Sequence, residues 1–178
     1  GIRDAQESRG LGDVYKRQMY NTCVRIVKDT TEAEDIMQEA FLSAFDKINT
    51  YKGDVSFGAW LKKIVINKAI DAQRNKKKFF EQIDDKISLI ENDDYNPEID
   101  ELNKDKIDKI LKAVSQLSDG YRIVLTLFLF EGYDHDEISK ILNISNSTSR
   151  SQYARAKVKL KEILAKGEIW LKIIIVRN

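Results

Sequence analysis

The sequence predicts an all-α protein: two small helical domains joined by a flexible acidic linker, the second carrying a helix-turn-helix. Three observations predict it. The 178 residues include one Pro and eight Gly, and 33% are charged, a composition that favours helices. Apolar residues recur at helical spacing in several separated stretches. Between those stretches, residues Phe79 to Glu101 hold nine acids against one Lys, contain the only proline, Pro97, and keep no period, which reads as a linker. The length suits one ordinary domain or two small ones.

The elements follow in order. Residues 1–18 carry three of the eight glycines in their first twelve positions and show no sustained period, so they read as a non-native or disordered segment. The alternative is a ragged first helix including Tyr15 and Met19. The first domain spans 19–78. Thr31 with Glu34 forms a capping box, and behind it Ala33, Ile36, Met37, Ala40, Phe41, Ala44, Phe45 and Ile48 make one continuous apolar face. Glu34, Asp35, Gln38 and Glu39 lie off that stripe. Thr50 to Ser56 is a turn-rich loop. Phe57, Trp60, Leu61, Ile64 and Val65 open a second amphipathic helix that runs to about Lys76, with Lys63, Asn67 and Arg74 on one side of it. The linker covers 79–104.

The second domain spans 105–166, followed by a tail, 167–178. Ile107, Ile110, Leu111, Val114 and Leu117 mark a helix that Ser118-Asp119-Gly120 breaks. Tyr121 to Glu131 is apolar enough to be buried on more than one side. A short helix begins near Asp134, capped by the Asp134/Glu137 pair, and ends at Leu142. Asn143 suits the left-handed conformation that closes a helix. A long basic helix runs from about Asn146 to Lys166, and Ser145 or Ser147 can cap it.

The formal net charge is only +1, but the charges are segregated. Asp29 to Asp46 holds six acids and no Lys or Arg, Leu61 to Lys78 seven bases and one acid, and Arg150 to Lys166 six bases and one acid. One such block is ordinarily a solvated helix face; two basic blocks on helices form a footprint for a polyanion. The short helix, three-residue turn and basic helix make a helix-turn-helix pattern. At the start of its second helix, Ser147, Thr148, Arg150, Ser151 and Gln152 are residue types that reach base edges and phosphates, with Arg155 and Lys157 further along.

Other classes are excluded or disfavoured. The single Cys23 forms no internal disulfide, which favours a reducing compartment. No apolar run reaches the roughly 18–20 residues of a membrane span, and no signal peptide is recognisable, so a cytoplasmic protein is expected. His135, at a predicted helix start, has no partner for a metal site, and capping or a phosphate contact is its ordinary role. Glycine-rich phosphate loops and the GxSxG motif are absent. No enzymatic activity, cofactor, metal or small-molecule substrate is expected.

TEAEDIMQEAF, FGAWLKKIVINKAIDAQR and LSDGYRIVLTLFLFEGYDHDEISKILNISNSTSRSQYARAKVKLKEIL together resemble a sigma-70 family RNA polymerase sigma factor of the small extracytoplasmic-function (ECF) group. The resemblance covers roughly Met19 to Leu164. It implies that the first domain is sigma region 2, with Asp35, Gln38 and Glu39 docking on the clamp of the largest subunit of core RNA polymerase. Tyr51, Lys52, Gly53, Asp54, Ser56, Phe57, Lys63, Asn67 and Arg74 would bind the minus-ten element. The second domain would be region 4, with Ser147, Thr148, Arg150, Ser151, Gln152, Arg155 and Lys157 reading the minus-thirty-five element and apolar helices gripping the flap of the second-largest subunit. An anti-sigma factor is the implied regulator. The family's Leu-Pro is Leu117-Ser118 here, where Ser can cap, and two family glycines are Asn143 and Ser147. The first region 2 helix is largely missing, its place taken by residues 1–18. A free-standing helix-turn-helix regulator is the alternative; it accounts for the second domain only.

Overall fold

The computed structural model describes the backbone of residues 2–75 and 104–166, and the side chains of 12–75 and 107–165. The linker apart from Lys104, and the tail, lie outside the described residues. The chain forms two compact units, 1–78 and 79–178.

Three helices pack pairwise in the first unit: α1 (Ile2–Val27), α2 (Thr30–Asp46) and α3 (Phe57–Asn75). Residues 2–18 are thus continuous with a 26-residue helix. The expectation of a disordered segment and a missing first helix is corrected. Met19, Cys23, Ile26 and Val27 on α1 are buried against the rest of the unit, and the Tyr15 ring lies over Gly58 at the start of α3. Lys28, at φ 64°, closes α1 in the left-handed region, and Asp29 caps α2 by accepting from the Glu32 backbone N–H at 2.9 Å. The cap therefore lies two residues before the predicted Thr31 box. Extended backbone at Asp29 places its carboxylate over the orphan amides, and Thr31 already lies inside the helix.

The predicted apolar face of α2 is only partly buried. Ala33, Ile36, Met37, Ala40 and Ala44 are covered, whereas Phe41 and Phe45 are 39% and 79% exposed. At about 100° per residue, the five buried positions fall within an arc of about 100°, and the two phenylalanines lie about 40–80° beyond it. Alanines set the line of closest approach and leave the large rings at the margin. Buried Leu61, Val65, Ile66, Ala69 and Ile70 of α3 complete the core.

The second unit contains α4 (Lys104–Ser115), α5 (Asp119–Leu125), a π-helical turn (Thr126–Phe130), α6 (His135–Leu142) and α7 (Asn146–Lys166). α7 packs against α4, α5 and α6. Ala113, Val114, Leu117, Leu125, Ala156, Leu160 and Leu164 form its core, flanked by Ile110, Tyr121, Leu129 and Ile163. Ser118 occupies the N-cap position of α5, but its side chain makes no capping bond, contrary to expectation. Instead the fully buried Arg122 folds back, donating to the Leu117 carbonyl at 3.3 Å and to Asp119 at 2.7 Å. Burial lowers the Arg122 pKa, and Asp119 opposes that shift.

Candidate nucleic-acid interface

The geometry of the helix-turn-helix starts with local chain chemistry. Asp134 accepts from the Glu137 backbone N–H at 2.8 Å while Glu137 accepts from that of Asp134 at 2.9 Å, so α6 begins with a complete capping box. Asn143, at φ 55° and ψ 48°, ends it in the left-handed conformation. Of the two serines able to cap α7, Ser145 does so: its Oγ accepts from the Thr148 backbone N–H at 3.0 Å and also bonds the Ser147 and Thr148 hydroxyls.

Around α7, Ser149, Gln152, Tyr153, Ala156, Leu160 and Leu164 face the core. Ser147 and Arg150 are exposed, and Thr148, Ser151, Arg155 and Lys157 are half-buried. Gln152 is corrected as a base-reading residue. It is 5% exposed and its amide lies 3.4 Å from where a Cβ on Gly120 would sit, wedged between α5 and α7. Arg150 donates from Nε to the Asn146 side-chain oxygen at 2.7 Å, and Asn146 donates in turn to Asp136 at 2.6 Å. Lys157 lies over the Tyr153 ring, 4.8 Å from its centroid. No acid occurs between Asn143 and Lys161.

Behind this face the two helices are tied together. His135 does not cap α6, and it is half-buried. It stacks on Phe128 of the π-helical turn with centroids 4.7 Å apart, and its Nδ1 lies 2.9 Å from the Ser149 hydroxyl. Tyr153 closes the cluster, 4.4 Å from Phe128. The His135 pKa is lowered, first by burial and then by Arg150, with Lys157 adding to the shift and Asp134 and Asp136 opposing it.

In the first unit, the loop after α2 is organised by aromatics. Tyr51, Phe57 and Trp60 form a triangle with centroids 5.4–5.7 Å apart, and the Tyr51 hydroxyl donates to the Val55 carbonyl at 2.7 Å. Gly53 turns the loop at φ 80°, where a side chain would be strained. Lys52, Gly53, Asp54, Ser56 and Phe57 are exposed, and Ser56 Oγ accepts from the Ala59 backbone N–H at 3.2 Å, starting α3. Lys63 and Asn67 are exposed on α3, and Arg74 on the same side contacts Asp71 at 3.3 Å.

Residues 13–79 match the family described as Sigma-70 region 2, and residues 107–160 match Sigma-70, region 4. ECF RNA polymerase sigma factor SigW of Bacillus subtilis (strain 168) is 31% identical over 161 residues, spanning 85% of this chain and 86% of that protein. SigM of the same organism, also an ECF RNA polymerase sigma factor, is 32% identical over 156 residues, spanning 86% and 93%. The chain belongs to the ECF group of the sigma-70 family. Two solved structures share the fold of this sigma factor. The sigma factor RpoE in complex with the anti-sigma factor NepR from Bartonella quintana aligns with TM-score 0.59 at 19% identity, covering 90% of this chain and 98% of that one. CnrH, in complex with the cytosolic domain of CnrY, aligns with TM-score 0.51 at 20% identity, covering 89% and 90%. A free-standing regulator is set aside, since residues 13–79 match region 2.

On this sigma factor, Asp35, Gln38 and Glu39 are exposed on α2. Glu39 also reaches across to Lys68 of α3 at 3.2 Å. Phe45 and Leu42, 79% and 68% exposed, continue the same outer side towards the loop. The sequence places Phe45 on the apolar face of α2 and does not single out Leu42, which lies on the side of α2 opposite Ala33. Asn146 and Asp136 were also missed. Their signal was an Asn at the first position of a helix with an Arg one turn further on. Among the described residues no group of three His, Cys, Asp or Glu is arranged to hold a metal ion, and no helix is long and apolar enough to cross a membrane.

Proposed function

We propose that this sigma factor directs core RNA polymerase to specific promoters through two DNA-binding surfaces and two polymerase-docking surfaces. The outer face of α7 reads the minus-thirty-five element with Ser147, Thr148, Arg150, Ser151, Arg155 and Lys157. The loop Tyr51 to Phe57, with Lys63, Asn67 and Arg74, captures the minus-ten element. Asp35, Gln38 and Glu39 dock on the clamp of the largest polymerase subunit, and the apolar helices of the second unit grip the flap of the second-largest. The protein carries out no bond chemistry and uses no cofactor: strand opening is driven by capture of unstacked bases on the exposed aromatic edge at Phe57. It works in the cytoplasm, where polymerase and promoter are found. A protein inhibitor that covers these surfaces is supported by the anti-sigma factor bound to the structurally similar RpoE.

The observation that carries this reading is the outer face of α7: hydroxyls and cations around a capped helix start, with no acid from Asn143 to Lys161. Run-off transcription with core polymerase and a random promoter library tests it. The library should yield two conserved elements, and recovery should fall steeply with salt as phosphate contacts release counterions. Tight specific binding by the isolated chain, with no stimulation of polymerase, would refute it.

A further inference from the structure

An arginine offers a base two bidentate edges, one from Nε with one Nη and one from the two Nη groups. In the second unit one of these edges is already committed. Arg150 Nε donates to Asn146 Oδ1 at 2.7 Å, one turn earlier on α7. Asn146 Nδ2 donates to Asp136 Oδ1 at 2.6 Å, on α6. Among the described residues Arg150 makes no other side-chain hydrogen bond and no ion pair, so its two Nη groups remain available to a ligand.

The order of the three groups matters. The neutral amide of Asn146 stands between Arg150 and Asp136. It orients the guanidinium without placing a carboxylate against it, and the positive charge stays available to DNA. A direct Asp–Arg pair would have held the side chain equally well and cancelled its charge. Asp136 is placed by α6, whose start is locked by the Asp134–Glu137 capping box. The aim of Arg150 is therefore referred to the first helix of the motif as well as to its own.

We infer that Asp136 and Asn146 are positioning residues for base reading: they present Arg150 end-on, through its two Nη groups, to the O6/N7 edge of a single guanine. The inference rests on the reading of α7 as the minus-thirty-five helix. Specificity at that base pair then depends on two residues that do not touch it. Loss of the brace frees Arg150 to reach neighbouring phosphates, which carry no sequence information.

The test is selection of promoters from a library randomised over the upstream element, using core polymerase loaded with each variant. Arg150→Ala should remove the guanine preference at one position. Asn146→Ala should lower the preference at that same position by about five-fold or more while leaving other positions unchanged. In the Arg150→Ala background it should do nothing further. Asp136→Asn/Asn146→Asp exchanges donor and acceptor. It should restore the preference that Asn146→Asp alone loses, with weaker binding to all sequences because a carboxylate now meets Arg150. Asp136→Ala, which breaks the brace from α6, replaces Asn146→Ala if the latter alters the melting curve. Uniform weakening by Asn146→Ala, or an effect that persists without Arg150, would overturn the inference alone. Unchanged preferences in Arg150→Ala would overturn the reading of α7 as well.

Discussion

The first unit mixes alanines with large side chains at its helix contacts, the second is filled mainly by leucines and isoleucines, and their exposed surfaces differ as well. Ala33, Ala40, Ala44, Ala69 and Cys23 line the contacts of α1, α2 and α3. Along α2 the helices approach over alanines and Phe41 and Phe45 stay at the surface, while Phe57 is exposed at the loop end of α3. Leu117, Leu125, Leu127, Ile138, Leu142 and Leu160 fill the second unit, which also draws Phe128, His135 and Tyr153 together behind α7. The first unit thus shows apolar rings beside acids, and the second shows hydroxyls and cations. An exposed apolar patch suits a protein partner or unstacked bases, whereas a polar cationic face suits a duplex. The bases differ too. Lys68 and Arg74 on α3 are already near carboxylates, while Arg150 is held by a neutral amide and Lys157 by a ring.

If the contrast is right, the units fail in opposite ways. Leu160→Ala should destabilise the second unit by about 2–5 kcal/mol, read as early hydrogen exchange in α4, α5 and α7. Ala40→Leu should cost the first unit about 1–3 kcal/mol by forcing its helices apart, with faster exchange in α2 and α3. Equal tolerance of both changes would dissolve the contrast.

A third test concerns acid. The His135 pKa lies below its ordinary 6.5, so the folded unit favours the neutral ring. The stability this provides is fully present above about 6.5 and is lost as pH falls through the lower folded value. His135→Gln keeps a partner for Ser149 and cannot titrate. Wild type should therefore lose more thermal stability than His135→Gln between pH 7.5 and pH 5, on the order of that pH window. The smallest change in stability belongs to the exposed ring. Phe45→Ser should alter melting by no more than about 0.5 kcal/mol, yet it should reduce co-purification with core polymerase if that ring is part of the docking face.

Much of this arrangement was legible where a local rule has no competitor. The Asp134–Glu137 box, the left-handed Asn143 and the span of α3 follow from residues within one turn of each other. Elsewhere tertiary contact decided. Gly10 and Gly12 each cost a helix about 1 kcal/mol, and no period is visible around them, yet α1 runs through both. Contacts of Met19, Cys23 and Ile26 with α2 and α3 are invisible in a local window. Gln152 reads as an adenine contact by residue type, but its spacing from Ser149, Tyr153 and Ala156 places it on the buried side. Arg122 sits in an apolar stretch, and only the folded chain shows it turned back on Leu117 and Asp119. The π-helical turn has no pattern of its own; its i to i+5 bond, from the Glu131 backbone N–H to the Thr126 carbonyl at 3.2 Å, is seen only in the folded chain.

The joint between α1 and α2 is two residues long, Lys28 and Asp29. One is in the left-handed region and the other is a cap, so neither has slack. A strut attached this way, and packed on α1 and α3, is already shaped in the free protein. If α2 is the docking face, as proposed, docking costs the loss of free tumbling and the ordering of a few side chains, with α2 itself already formed. Binding should consequently show a heat-capacity change no larger than its contact area requires, and an association rate insensitive to agents that perturb nascent helices.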